Sequence, residues 1–148
     1  MRCFLFAFAT VLYVLTWHAT LSDAHPTTRL QGVAVKGRLM CGSDPLVGAK
    51  VKIIDVDTGM DPDDLLDEGY TDADGRFELN GATKEEGHID AVIKVYHDCN
   101  DGHRPCQRKV LWEVPRKYHH TGKVEQWFDV GTVNMEIRFR REERDCRH

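Results

Sequence analysis

The chain has 148 residues, with 20 basic against 24 acidic side chains, a net charge of −4 and 41% hydrophobic residues. That length suits one domain around one core, and the slightly acidic balance argues against a nucleic-acid partner, which needs a basic field. Beyond the first residues no stretch reaches transmembrane length, and no fixed-period repeat appears.

The opening "MRCFLFAFATVLYVLTWHATLSDAHP" has one early cation, Arg2, then an apolar run from Cys3 to Trp17 broken only by Thr10 and Thr16. This layout predicts a secretory signal peptide over 1–24, with Ser22 and Ala24 as the small residues before the cut. The mature chain is then a single domain over 25–148, its core at about 30–140 and a tail at 141–148, secreted into an extracellular setting. Losing Cys3 leaves Cys41, Cys99, Cys106 and Cys146, an even number in an oxidising compartment, so disulfides are expected. Asn80, Asn100 and Asn134 all lack a Ser or Thr two positions on, and no N-glycan is expected.

From Gly32 to Cys41, "GVAVKGRLMC" sets Val33, Val35, Leu39 and Cys41 against Lys36, Arg38 and Met40, and a period of two reads as a strand. "AKVKIID" repeats the pattern with Ala49, Val51 and Ile53 after a turn around Pro45 and Gly48. The next segment, "DVDTGMDPDDLLDE", holds seven acidic residues and no basic one. Asp55, Asp57, Asp61 and Asp63 are candidates for weak calcium binding, although Gly59 and Met60 stand where an EF-hand loop needs Asp or Asn and then Gly. The plainer reading is a solvated acidic loop.

"DEGYTDADGRFELNG" predicts two strands about the Asp74-Gly75 pair, a strong hairpin signal. A short helix is expected near "ATKEEGH", with Thr83 as a cap and Glu85 and Glu86 suited to a helix N-terminus. "HIDAVIKVYHDC" and "QRKVLWEVP" read as partner strands joined by "NDGHRP", whose Asp-Gly and Pro are turn residues. A hairpin here predicts a Cys99–Cys106 disulfide, since a C-x6-C spacing fits neither a zinc knuckle nor a redox C-x-x-C pair. Four cysteines allow three pairings, and by exclusion Cys41 then joins Cys146. His97 and His103 are expected to be ordinary strand-end and loop residues.

Between Arg104 and Lys123 lie Arg104, Arg108, Lys109, Arg116, Lys117 and Lys123 against one acid, Glu113. Such a run is either a solvated face or a docking patch for an anionic lipid, a glycan or an acidic protein. Alternation keeps neighbouring cations off one face, so Arg116, Lys117 and Lys123 are expected to form an anion-facing tip, with Arg104 and Arg108 on a separate edge. "EQWFDVGTVNMEIRFRR" closes the walk, alternating Val133, Met135, Ile137 and Phe139 with polar residues, and is expected to be strand throughout. Many short strands in a domain of this size predict an all-β sandwich.

The blocks "VAVKGRLMCG", "DDLLDEGYTDADGRFELNG", "YHDCNDGHRPCQRK", "VPRKY" and "WFDVGTVNMEI" resemble the nematode transthyretin-like secreted proteins, in order, over about residues 30–148. The resemblance implies a transthyretin-like sandwich of two four-stranded sheets with at most one short helix. It also implies an extracellular binding or adaptor role toward a protein receptor or an anionic surface, phosphatidylserine on dying cells being the ligand of one such protein. The wider superfamily includes 5-hydroxyisourate hydrolase, so an altered or vestigial hydrolase is the alternative. Of that enzyme's pattern the chain keeps the turn "TDADGR", Thr71 to Arg76. It has no histidine from Gly32 to Cys41, Tyr70 stands before Thr71, Asp129 falls near the late histidine, and the end reads Asp145-Cys146-Arg147-His148. A set able to activate water and hold an anionic substrate is missing, and no P-loop, G-x-S-x-G or H-E-x-x-H appears. No enzymatic activity, cofactor or metal is therefore expected.

Overall fold

A computed structural model describes residues 27–57 and 62–147; the expected signal peptide, Asp61 and His148 lie outside the described residues. Among the described residues ten strands follow one another: β1 (Arg29–Cys41), β2 (Asp44–Pro45), β3 (Lys50–Asp55), β4 (Asp64–Tyr70), β5 (Arg76–Glu85), β6 (Ala91–His97), β7 (Gln107–Glu113), β8 (His120–Thr121), β9 (Trp127–Asn134) and β10 (Glu142–Asp145). One 3-10 turn at Arg116–Tyr118 interrupts them. No helix among the described residues is long and apolar enough to cross a membrane.

β1 is the spine of the first sheet. It pairs antiparallel with β5 from Arg29↔Glu85 to Arg38↔Arg76, and with β2 at Met40 and Cys41. Along its other edge run β8, at Gln31 and Gly32, and then β9, which lies parallel to β1. The second sheet is antiparallel in the order β10-β7-β6-β3-β4. Period-two burial follows from each strand having one covered face: in β3, Val51, Ile53 and Asp55 turn inward and Lys50 and Lys52 outward. Val33, Val35, Leu39, Phe77 and Leu79 of the first sheet pack over Val51, Ile53, Ile93, Val95 and Val110 of the second.

The two sheets close on one side, where the Asp67 carboxylate accepts the Asn80 N–H at 2.8 Å and Gly81 lies against the Leu66 carbonyl, a position where any Cβ would collide. On the opposite side a cleft of about 680 Å³ separates β9 from β7, lined by Trp112, Phe128, Val130, Val133 and Phe139.

The sandwich therefore has two sheets of five strands, where two of four were expected. Beyond the seven strands read along the sequence, the added ones are the two-residue β2 and β8 and the tail strand β10, all too short or too charged to carry a period-two signal. The expected helix near Thr83 is instead the end of β5, because β1 begins at Arg29 and offers Thr83 and Glu85 a ladder partner. The strand expected throughout "EQWFDVGTVNMEIRFRR" is β9, which stops at Asn134 and does not reach Phe139. Asn134 Oδ1 accepts N–H bonds from Gly42 and Glu136, a local turn that competes with the ladder. Met135 is then buried, while Ile137 is exposed and Phe139 meets Trp112 edge-on at 5.7 Å.

Both expected disulfide pairings are corrected. The bonds join Cys41 to Cys99 and Cys106 to Cys146. The β6–β7 ladder stops at His97↔Arg108, since Asn100 and Cys106 take positive φ and a turn forms from Asp98 to Asp101. Cys99 is thereby turned into the core to meet the end of β1. Cys106 is left beside β10, whose register, with Asp145 opposite Gln107, puts Cys146 opposite Cys106.

Candidate functional site: the charged end of the sandwich

The ends of β3, β5 and β7 and the start of β1 share one end of the molecule. There the chain gathers acidic groups and the loop-borne cations. Asp55 is 2% exposed, and its Oδ1 accepts the Asp90 N–H at 2.7 Å. Burial, and then the nearby charges of Asp57, Glu85 and Asp90, push its pKa above the usual carboxylate value. Asp55, Asp57 and Glu85 each bring a carboxylate oxygen within 4.8 Å of the others. Of the other sequence-predicted calcium candidates, Asp63 pairs with Lys94 at 3.0 Å, and Asp61 is outside the described residues. Glu85 was legible only as a helix-start residue and joins this group because it ends a strand.

Arg116 and Lys117 lie on the 3-10 turn after β7, and Lys123 follows β8; all three are exposed. Arg116 is paired with Asp90 at 3.2 Å, so the acidic and basic groups meet directly. It lines a cleft of about 700 Å³ floored by Val92, Leu111, Val114 and Pro115, where Arg141 pairs with Glu113. An anion entering this cleft meets as many carboxylates as guanidinium groups. Lys117 and Lys123 differ, since neither forms an ion pair among the described residues. Lys117 lies 4.9 Å from the centre of the Tyr118 ring, which in turn packs against Phe128.

Arg104 and Arg108 do not share an edge. Arg104 is exposed on the 98–106 loop, whereas Arg108 is buried with every guanidinium nitrogen engaged, a correction to its expected place in an anion-binding surface. Its Nη1 donates to the Cys99 and Met135 carbonyls, its Nη2 to the Ile137 carbonyl, and its Nε and Nη2 to Glu142. Strand alternation points Arg108 inward with Val110, and the chain ends after β6 and β9 supply carbonyls that need donors. Hydrogen bonds from Arg108 hold Glu142 below the usual carboxylate range. Arg144 clamps Asp101 and the carbonyls of Pro105 and Cys106, so two arginines tie the tail to the 98–106 loop. The tail "EERDCRH" gave no sign of this before the register of β10 was known.

His97 is a core residue. Its Nδ1 accepts the Cys99 N–H, and Nε2 is buried without a partner among the described residues. Burial, and then the charge of Arg108, lower its pKa to about 4. The "TDADGR" turn that evokes the hydrolase is likewise an architectural device. Thr71 Oγ1 accepts the Ala49 N–H and donates to the Leu46 carbonyl, and Asp72 Oδ1 accepts N–H bonds from Asp74 and Arg76. Gly75, at φ +76°, accepts the Leu39 N–H at 2.7 Å, and a Cβ there would meet the Leu39 carbonyl oxygen. The motif docks the β4–β5 turn onto β1.

The model of the Transthyretin-like family (TTR-52) matches residues 36–115, from mid-β1 to the end of β7. Three Caenorhabditis elegans relatives are similar over most of the chain. Transthyretin-like protein 33 is 50% identical over 119 residues, 80% of this chain and 83% of its own. Transthyretin-like protein 46 is 51% identical over 79% of this chain and 66% of its own, and transthyretin-like protein 5 is 43% identical over 80% and 86%. A solved 9R-lipoxygenase from Cyanothece PCC8801 shares 23% identity with a TM-score of 0.41, over 70% of this chain and 16% of that one, too loose a likeness to bear on fold or function. With two cross-linked five-stranded sheets and these relatives, the chain belongs to the transthyretin-like family.

Proposed function

We propose that the protein is a secreted binding module that lays its 116–123 connection against anionic cell-surface components, phosphatidylserine headgroups foremost. The observation that carries this reading is the exposure of Lys117 and Lys123 on one short connection, with neither held by a carboxylate among the described residues. Two disulfides and a cytosol-averse cysteine pattern fit extracellular work. Two aromatic rings give the tip a rigid base: Phe128 supports Tyr118, and Tyr118 supports Lys117. Cations near an anionic leaflet contribute about 1 kcal/mol each.

The test is sedimentation with vesicles containing phosphatidylserine, alongside vesicles of phosphatidylcholine alone. The native protein should bind the anionic vesicles at low salt and release as salt rises. The double variant Lys117→Gln/Lys123→Gln should bind roughly thirtyfold more weakly, two contributions of about 1 kcal/mol being lost, with an unchanged melting temperature. A native protein that ignores anionic vesicles at low salt contradicts the reading.

A further inference from the structure

The charged end of the sandwich poses a problem of burial. Asp55 is the last inward-facing residue of β3, and while one of its oxygens is bonded to the Asp90 N–H, the other, Oδ2, is buried with no hydrogen-bond partner among the described residues. No ion pair among the described residues uses Asp55 or Glu85. Arg116, a loop cation at this end, is committed to Asp90. An ionised carboxylate taken out of water without a compensating charge is unfavourable by several kcal/mol, so either a proton or a cation has to accompany it.

We propose that Asp55, Asp57 and Glu85 form a calcium site. The three oxygens, one from each residue, lie no more than 4.8 Å apart, so some point between them lies within about 2.8 Å of all three. That spacing accommodates calcium–oxygen distances of about 2.3–2.6 Å, and an irregular set of three protein oxygens suits calcium's flexible shell better than the rigid octahedron that magnesium demands at roughly 2.0–2.1 Å. The donor set is all oxygen and carries three negative charges, as a hard divalent cation prefers. Glu85 and Asp57 are half-buried, which leaves room for water to complete the shell.

The site spans the two sheets, since Asp55 ends β3, Asp57 follows it by two residues and Glu85 ends β5. Cys41 and Cys99 bridge the sheets at the far end of β1 and β6. Calcium would therefore staple the end that the disulfide leaves open. This site owes nothing to lipid binding and is tested without it.

Thermal melts of the native protein in EDTA, in calcium and in magnesium at matched ionic strength decide the matter, with calorimetric titration of calcium alone. A tenfold excess of calcium over its Kd should raise Tm by about 5 °C, and magnesium should do much less. Asp55→Asn keeps an acceptor for the Asp90 N–H and removes the buried charge. In EDTA it should melt at or above the native temperature, in calcium below it, and it should show no calcium shift. Glu85→Gln should also lose the shift while folding normally. A native Tm unmoved by calcium, equal shifts with both cations, or a shift that survives Asp55→Asn would overturn the site and leave Asp55 carrying a proton instead.

Discussion

His97 sits where β6 gives way to the disulfide-bearing loop, and its ring has a single hydrogen-bonding job, to accept the Cys99 N–H. That job requires an unprotonated Nδ1. With a folded-state pKa of about 4, depressed from 6.5, the native state holds the neutral form. Its contribution to stability is complete above pH 6.5 and is lost as pH falls toward 4, up to about 3 kcal/mol across that window. Urea melts of the native protein and of His97→Asn, which offers an amide oxygen in place of Nδ1, should show this. The native midpoint should drop between pH 6.5 and 4 more steeply than that of the variant. Parallel curves would mean that His97 has no part in the acid sensitivity. Arg108 is the other buried polar group on which the fold depends. Arg108→Met strands three carbonyls and the Glu142 carboxylate, and should destabilise by about 3–5 kcal/mol in equilibrium unfolding. Adding Glu142→Gln should restore part of that, because the uncompensated charge is removed; an additive double variant would refute the coupling.

At the scale of elements, what was legible in the sequence was local. The strands β1, β3, β6 and β7 follow from period-two burial, and the Asp74-Gly75 turn from its residue types, because side-chain alternation and φ preference act within a few positions. Long-range pairing left no such mark. Nothing in "EERD" announces a partner for β7, so Arg108 read as a surface cation like Arg104, although alternation had already put it on the same side as Val110. Cys99 and Cys106 seemed to face each other because the ladder was extended two residues past His97, whereas Asn100 turns the chain there. The candidate calcium residues divided for the same reason. Asp55 and Asp57 are close in sequence at the end of β3 and just past it and were visible, whereas Glu85 reaches them only through the stacking of two sheets. Asp63, close in sequence, is diverted to Lys94 on the outer face.

The whole molecule depends on covalent ties more than its core size suggests. The Cys41–Cys99 and Cys106–Cys146 bonds close loops across sequence separations of 58 and 40 residues. On the chain-entropy estimate each stabilises the folded state by about 4 kcal/mol. Together they approach the 5–15 kcal/mol, or thereabouts, that separates a typical native domain from its unfolded chain. The two bonds differ in reach. Cys41–Cys99 joins the two sheets, so its loss releases the whole core, while Cys106–Cys146 fastens β10, which Arg108 and Arg144 also hold. The variant Cys106→Ser/Cys146→Ser should therefore keep a cooperative thermal transition at a lowered Tm. Cys41→Ser/Cys99→Ser should melt earlier still, and the fully reduced native protein should lose its cooperative transition near 37 °C. Differential scanning calorimetry with and without a thiol reductant measures all three. If the reduced protein melts within a few degrees of the oxidised one, the core is self-sufficient and folding is not tied to an oxidising compartment.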